Sequence, residues 1–143
     1  MNTIHMESFA VVGREVRTSN AREMSGQGVI GQLWNKRNPD KGPPIAVYSE
    51  YESDKDGDYS YMLGVEIGGN DTLPLELARR ITEAGKYVCL KGDGPATPEI
   101  VVGLWRQIWA LEEAGQLVRA YKTDFEIYTK TGIELYVGVK APG

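Results

Sequence analysis

Two short stretches of this chain set carboxylates among aromatic rings, Tyr48-Ser49-Glu50-Tyr51-Glu52 and Asp124-Phe125-Glu126-Ile127-Tyr128. That combination suits the recognition of a cation. An aromatic face attracts positive charge through its quadrupole, and a carboxylate partly removed from water gains from a cationic partner that restores its lost solvation. Glutamates on a surface strand are ordinarily just solvated, so the aromatic content carries this reading rather than the acids alone. Trp105 and Trp109 fall one helical turn apart and can wall such a site, although large aromatics serve plain cores equally well.

The two stretches lie at matching points of a repeated plan. Glu50-Tyr51-Glu52 aligns with Asp124-Phe125-Glu126, and twelve residues beyond Glu52 and Glu126 come Gly64-Val65 and Gly138-Val139. Gly13-Arg14-Glu15-Val16 answers Gly85-Lys86-Tyr87-Val88, and Leu33-Trp34 answers Leu104-Trp105. We read one domain over 1–143 with pseudo-repeats at about 6–68 and 74–143, and a ligand cleft between the two copies.

The elements that must hold these residues follow from periodicity and turn chemistry. Phe9 to Val16, Ile45 to Ser53, Tyr59 to Ile67, Tyr87 to Leu90, Tyr121 to Thr129 and Ile133 to Lys140 read as strands. Asp56-Gly57 and Lys130-Thr131-Gly132 supply hairpin turns. Ser25 can cap a first helix with the stripe Val29, Ile30, Leu33 and Trp34, weakened by Gly26, Gly28 and Gly31. The second helix is better marked, with Thr97 as N-cap, Pro98 at its first position and Gly115 past its end. Its apolar arc, Ile100, Leu104, Ile108 and Leu111 beside Val101, Trp105 and Trp109, is wide enough to be buried on more than one side. Asn38-Pro39-Asp40-Lys41-Gly42-Pro43-Pro44 breaks the chain, Gly68-Gly69-Asn70-Asp71 closes the first copy, and Leu73 to Arg80 is an extended lead into the second. Each copy is strand, helix, strand, strand. The fold class is therefore α+β, a mostly antiparallel sheet with its helices on one face.

Strand alternation puts Phe125 and Ile127 on one face and Asp124, Glu126 and Tyr128 on the other. We expect the apolar pair to meet the helix, together with Leu135, Val137 and Val139. That leaves Glu134 and Tyr136 beside Glu126, with Tyr48, Glu50 and Glu52 on the corresponding polar face of the first copy. Glu52 leads into the charged turn from Asp54 to Asp58, so Glu126 is the better candidate to hold a ligand's charge.

Composition excludes several function classes. The 143 residues are 41% hydrophobic and 25% charged, with a net charge of -4 and no dense Lys/Arg run, so nucleic acid and anionic lipid are poor partners. Cys89 is the single cysteine, which rules out an internal disulfide and suits a reducing compartment. With no signal peptide, lipidation motif or spanning apolar stretch, the expected location is cytoplasmic. His5 is the only histidine and lies near the terminus, so no metal site, histidine triad or cofactor is expected. Asp54, Asp56 and Asp58 match the start of a calcium loop only in part, because Gly57 is misplaced and the closing glutamate is missing. Gly92-Asp93-Gly94-Pro95 lacks the Lys-Ser/Thr of a P-loop and reads as a strand-to-helix turn.

The ordered set Tyr48 to Asp54, Tyr59 to Glu66, Ala84-Gly85-Lys86-Tyr87, Leu104 to Trp109 and Asp124 to Tyr128 resembles the GyrI-like effector-binding domain. This is the ligand-sensing domain of BmrR- and Rob-type multidrug-responsive regulators, and the chain is similar to its stand-alone, integron-cassette form. The resemblance implies a duplicated strand-helix-strand-strand fold and an aromatic pocket in which a buried glutamate, matching Glu126, meets cationic lipophilic drugs. Regulators of this family add a helix-turn-helix domain that this sequence lacks, so a separate regulator protein is a possible partner.

The expected function is thus a non-enzymatic binding module for a cationic amphipathic small molecule. Glu126 is its charge partner, and Trp105, Trp109, Tyr48, Tyr128 and Tyr136 form its aromatic surface. The alternatives are a hydrolase of electrophilic drug-like compounds, with a carboxylate beside tyrosine activating water, and a gyrase-interacting inhibitor.

Overall fold

The computed structural model describes residues 3–37, 42–67 and 77–140. Eight strands, β1 (Thr3–Met6), β2 (Ala10–Ser19), β3 (Ile45–Ser49), β4 (Asp58–Ile67), β5 (Ala78–Ile81), β6 (Gly85–Asp93), β7 (Arg119–Thr129) and β8 (Gly132–Val139), form a single sheet. Its order is β1-β6-β8-β7-β3-β4-β2-β5, with every pairing antiparallel. Among the described residues three helices accompany it, α1 (Asn20–Met24), α2 (Ile30–Lys36) and α3 (Pro98–Glu113). The α+β class and the antiparallel sheet expected from the sequence are what the structure has.

The long helix α3 forms where its caps predict. The Thr97 hydroxyl accepts from the Ile100 N–H at 3.3 Å, Pro98 occupies the first turn where no N–H is needed, and Gly115 ends the helix at φ 74°. Its wide apolar arc has two destinations. Leu104 and Ile108 join the buried core cluster that includes Ala46, Leu135 and Val137, while Val101, Trp105 and Trp109 border an open cavity, Trp105 belonging to both. Leu33 of α2 joins the same core cluster, so both longer helices lie on one face of the sheet.

The helices meet Leu135, Val137 and Val139 of β8 as expected, but the β7 half of the expectation is reversed. The helix-side cluster contains Tyr48, Tyr61, Leu63, Leu135 and Val137, and through the register Glu126↔Leu135 and Asp124↔Val137 it takes in both β7 acids. Phe125 and Ile127 belong instead to a second cluster with Val11, Ile45, Val47, Met62, Tyr87 and Tyr136 on the opposite face. Both faces are buried, so apolar alternation along β7 does not say which side meets a helix.

Local departures have local causes. The first helix is not a single run from Ser25. Ser19 caps α1 by accepting from the Arg22 N–H at 3.1 Å, Ser25 closes it, and α2 starts only at Ile30. The strand expected to reach Ser53 stops at Ser49 because Glu50 turns into the left-handed region at φ 51°. The connection to β4 is therefore longer than a tight Asp56-Gly57 turn, and the Glu52 N–H rejoins Asp58 O at 2.8 Å. Strand β1, which the periodicity did not announce, places His5 in the sheet, paired with Lys86. Within the extended lead, β5 begins at Ala78, whereas 73–76, Gly68-Gly69-Asn70-Asp71 and Asn38-Pro39-Asp40-Lys41 lie outside the described residues. Gly13 faces Gly64 across β2 and β4, and a Cβ on Gly64 would lie 1.9 Å from Val12 O, so both strands need glycine there.

Candidate functional site

A cavity of about 960 Å³ opens on the helix face, bordered by α1, α2 and α3 above and by β3, β4 and β7 below. Aromatic side chains from every side line it: Trp34 from α2, Tyr48 from β3, Tyr51 just beyond it, Tyr59 and Tyr61 from β4, Trp105 and Trp109 from α3, and Tyr128 from β7. The rings brace one another edge to face. Tyr48 meets Trp105 at 4.9 Å and Tyr61 at 5.1 Å between centroids, and Trp34 meets Tyr128 at 4.7 Å.

Glu126 lies at the floor, 1% exposed. Three neutral donors converge on its carboxylate. The Tyr48 hydroxyl and the Trp105 indole N–H donate to Oε2 at 2.8 and 2.7 Å, and the Tyr128 hydroxyl donates to Oε1 at 2.6 Å. Burial pushes the carboxyl above its usual range, and these three hydrogen bonds oppose that rise. Among the described residues no cation pairs with it. In return, burial and the nearby Glu126 charge push the Tyr48, Tyr61 and Tyr128 hydroxyls above the usual phenol range, so they remain donors at any physiological pH. The arrangement keeps a carboxylate dry, oriented and without a counter-charge, at the foot of an aromatic well.

Two residues away, Asp124 is equally buried and fully paired. The Arg119 guanidinium donates to its Oδ2 at 2.7 Å, the Tyr51 hydroxyl donates to the same oxygen at 2.5 Å, and the Gly138 N–H donates to Oδ1 at 2.8 Å. Burial alone would lower the Arg119 pKa, but the Asp124 charge carries it above the ordinary arginine value. The guanidinium also lies over the Tyr121 ring at 4.3 Å and the Trp105 ring at 5.3 Å. In a regular strand, residues five apart face opposite ways. Here the β7–β8 register shifts between Arg119 and Asp124, with Tyr121 at φ 55°, and the irregularity brings both side chains to one face.

The structure thus gathers Glu126, Trp105, Trp109, Tyr48 and Tyr128 around one cavity. It places Tyr136 elsewhere. Tyr136 stacks on Phe125 on the opposite face, with centroids 4.9 Å apart, and its hydroxyl donates to Glu134 at 2.8 Å. The expectation that Tyr136 and Glu134 flank Glu126 fails for the same reason as the face assignment, because Leu135 is the residue opposite Glu126. Sequence reasoning also passed over Trp34, Tyr51, Tyr59, Tyr61, Arg119 and Glu23. The alternation Tyr59-Ser60-Tyr61 was a usable signal for two rings on one strand face. Glu23 lines the cavity wall, accepting from the Thr18 hydroxyl at 2.6 Å and from the N–H groups of Val29 and Ile30 at 3.0 and 3.3 Å, so it caps α2 from a distance. Glu52 is exposed and Glu50 pairs with Arg80, both away from Glu126.

Among the described residues no helix is long and apolar enough to cross a membrane, and no three potential ligands cluster around a metal position.

Comparison with known proteins agrees with this architecture. The family model for integron-associated effector binding proteins matches residues 4–139. An integron cassette protein from the mobile metagenome of Vibrio cholerae is 32% identical, with a TM-score of 0.82 over 97% of this chain and 95% of that one. YobU of Bacillus subtilis (strain 168), which carries the name of a transcriptional regulator, is 27% identical over 155 residues, covering 95% of each chain. The structure of SAV2435 bound to tetraphenylphosphonium shares the fold at 21% identity and a TM-score of 0.66, over 98% of this chain and 93% of that one.

Proposed function

The chain belongs to the family of integron-associated effector binding proteins, and from that premise we propose that it binds lipophilic aromatic cations, with Glu126 as the counter-charge. The observation that carries the reading is the state of Glu126: buried, oriented by three neutral donors and unpaired with any cation among the described residues. A buried carboxylate without a counter-charge is costly, and a cation that sheds its own water against aromatic faces removes that cost. Size supports the same reading, since about 960 Å³ accommodates a drug-sized ligand. The tetraphenylphosphonium bound to SAV2435 belongs to the same chemical class of ligand.

Calorimetric titration with tetraphenylphosphonium and with neutral triphenylphosphine oxide tests the charge. Glu126→Gln keeps the side chain's shape and should weaken the phosphonium by about tenfold or more, the scale of a lost charge-assisted contact, while the neutral ligand changes little. Equal losses for both ligands would sink the charge-pairing reading. A further part of the proposal is a separate regulator that responds to the loaded protein, supported by the regulator name of the Bacillus subtilis relative.

A further inference from the structure

The charges around the cavity do not match a simple cation trap. Among the described residues six charged side chains line it, Glu23, Arg37, Lys55, Arg119, Glu126 and Lys130, and four of the six are cationic. Two have their charge answered within the protein, as Arg119 pairs with Asp124 and Lys55 with Asp56 at 3.1 Å. Among the described residues Glu23, Glu126, Arg37 and Lys130 have no ion-pair partner, and Glu23, like Glu126, is held by neutral donors alone, two backbone N–H groups and the Thr18 hydroxyl.

Glu126, Arg37 and Lys130 lie along one wall. Glu126 and Tyr128 point the same way from β7, and Lys130, in the turn just past the strand's end, lines the same cavity. At roughly 3.3 Å per residue, the strand's end at Thr129 is about 10 Å along the wall from Glu126, and Lys130 follows in the turn. The Tyr128 ring fills the interval with its hydroxyl on Glu126, Trp34 packs edge-on against that ring, and the Arg37 guanidinium lies over Trp34 at 5.4 Å. The wall therefore runs from a buried negative end, across two aromatic rings, to an exposed positive end.

We propose that the cavity is built for amphoteric aromatic compounds, with a cationic group seated at Glu126 and an anionic acid group at the rim between Arg37 and Lys130. The proposal rests on the cation-binding reading above and adds the second charge. A ligand with only a cation satisfies Glu126 but leaves two like charges at the entrance. One that also carries an acid group about 10 Å away, the run of the strand from Glu126 to its end, meets both ends.

Rhodamine B, a xanthene cation with a free carboxylate, and its ethyl ester separate the two ideas by fluorescence anisotropy. The wild type should bind the carboxylate dye about fivefold tighter than the ester, the scale of an exposed ion pair. That preference should shrink in about 0.5 M salt, where exposed charges are screened. The double variant Arg37→Gln/Lys130→Gln, changed at two exposed positions, should bind both dyes equally. An ester that binds as tightly as the acid, or a preference that survives the double variant, would overturn the rim assignment while leaving the cation site intact. If Glu126→Gln leaves affinity for the ester unchanged, the cation reading itself fails, and the rim assignment with it.

Discussion

Asp124 and Glu126 make a controlled comparison. They sit two residues apart on β7, share one face and are 0% and 1% exposed. Each accepts three hydrogen bonds from other residues. They differ in charge: Asp124 has a guanidinium, and Glu126 has only neutral hydroxyls and an indole. A carboxylate with its cation inside the fold is finished as a structural tie, whereas one held by neutral dipoles is ordered but still carries an unanswered charge. Hydrogen-bond satisfaction and charge compensation are separate requirements, and the residue that meets only the first is the one left facing a cavity.

The strongest way to break the contrast is on the structural side. Asp124→Asn leaves Arg119 buried without a counter-ion and should cost about 3–5 kcal/mol of stability in denaturant unfolding. Glu126→Gln, which strands no cation, should leave stability nearly unchanged or raise it. If the two variants destabilise equally, charge pairing does not distinguish the sites.

The next largest effect is in pH. Because burial raises the Glu126 carboxyl, the folded state holds that proton more tightly than the unfolded chain. Its contribution to stability is therefore present in full below the unfolded carboxyl value and is lost as pH rises through the folded value. Affinity for a permanent cation runs the other way, growing as the carboxylate ionises over the same window. Melting temperature and phosphonium affinity followed from acid to neutral pH should show these opposite slopes, and Glu126→Gln should flatten both.

Single hydroxyls sharpen the comparison further. Tyr48→Phe removes one hydrogen bond, for about 1 kcal/mol of stability, and Tyr51→Phe removes two, its donation to Asp124 and its acceptance from Arg119, for about 1–2 kcal/mol. Only Tyr48→Phe withdraws a donor that holds the Glu126 proton affinity down, so only it should move the pH midpoint of ligand binding upward. Smallest of all is Glu52→Gln. On its exposed loop it should change stability by less than about 0.5 kcal/mol and leave phosphonium binding as it was.

Much of this site could be read from the chain because it depends on residue type and short spacing. Glu126 with Tyr128 on one strand face, and Trp105 with Trp109 on one helix, follow from periods of 2 and 3.6. The Arg119–Asp124 tie could not be read that way. Five residues apart, the two belong on opposite faces of any regular strand, and only the irregularity around Tyr121 cancels that parity. Tyr136 shows the same limit from the other side, since alternation groups it with Glu134 without saying which surface of the sheet they share.

By itself the sequence determined the α+β class, the caps of α3, the aromatic strands and a glutamate set among them, because propensity, capping and alternation are local properties of the chain. The tertiary structure alone decided which face of the sheet carries the helices, and so put Glu126 under the cavity and Phe125 in the opposite core. The physical reason is that a period of two fixes which side chains travel together but carries no sign. Where both faces of a sheet are buried, that sign is set by how helices pack onto it, through contacts between residues far apart in the chain.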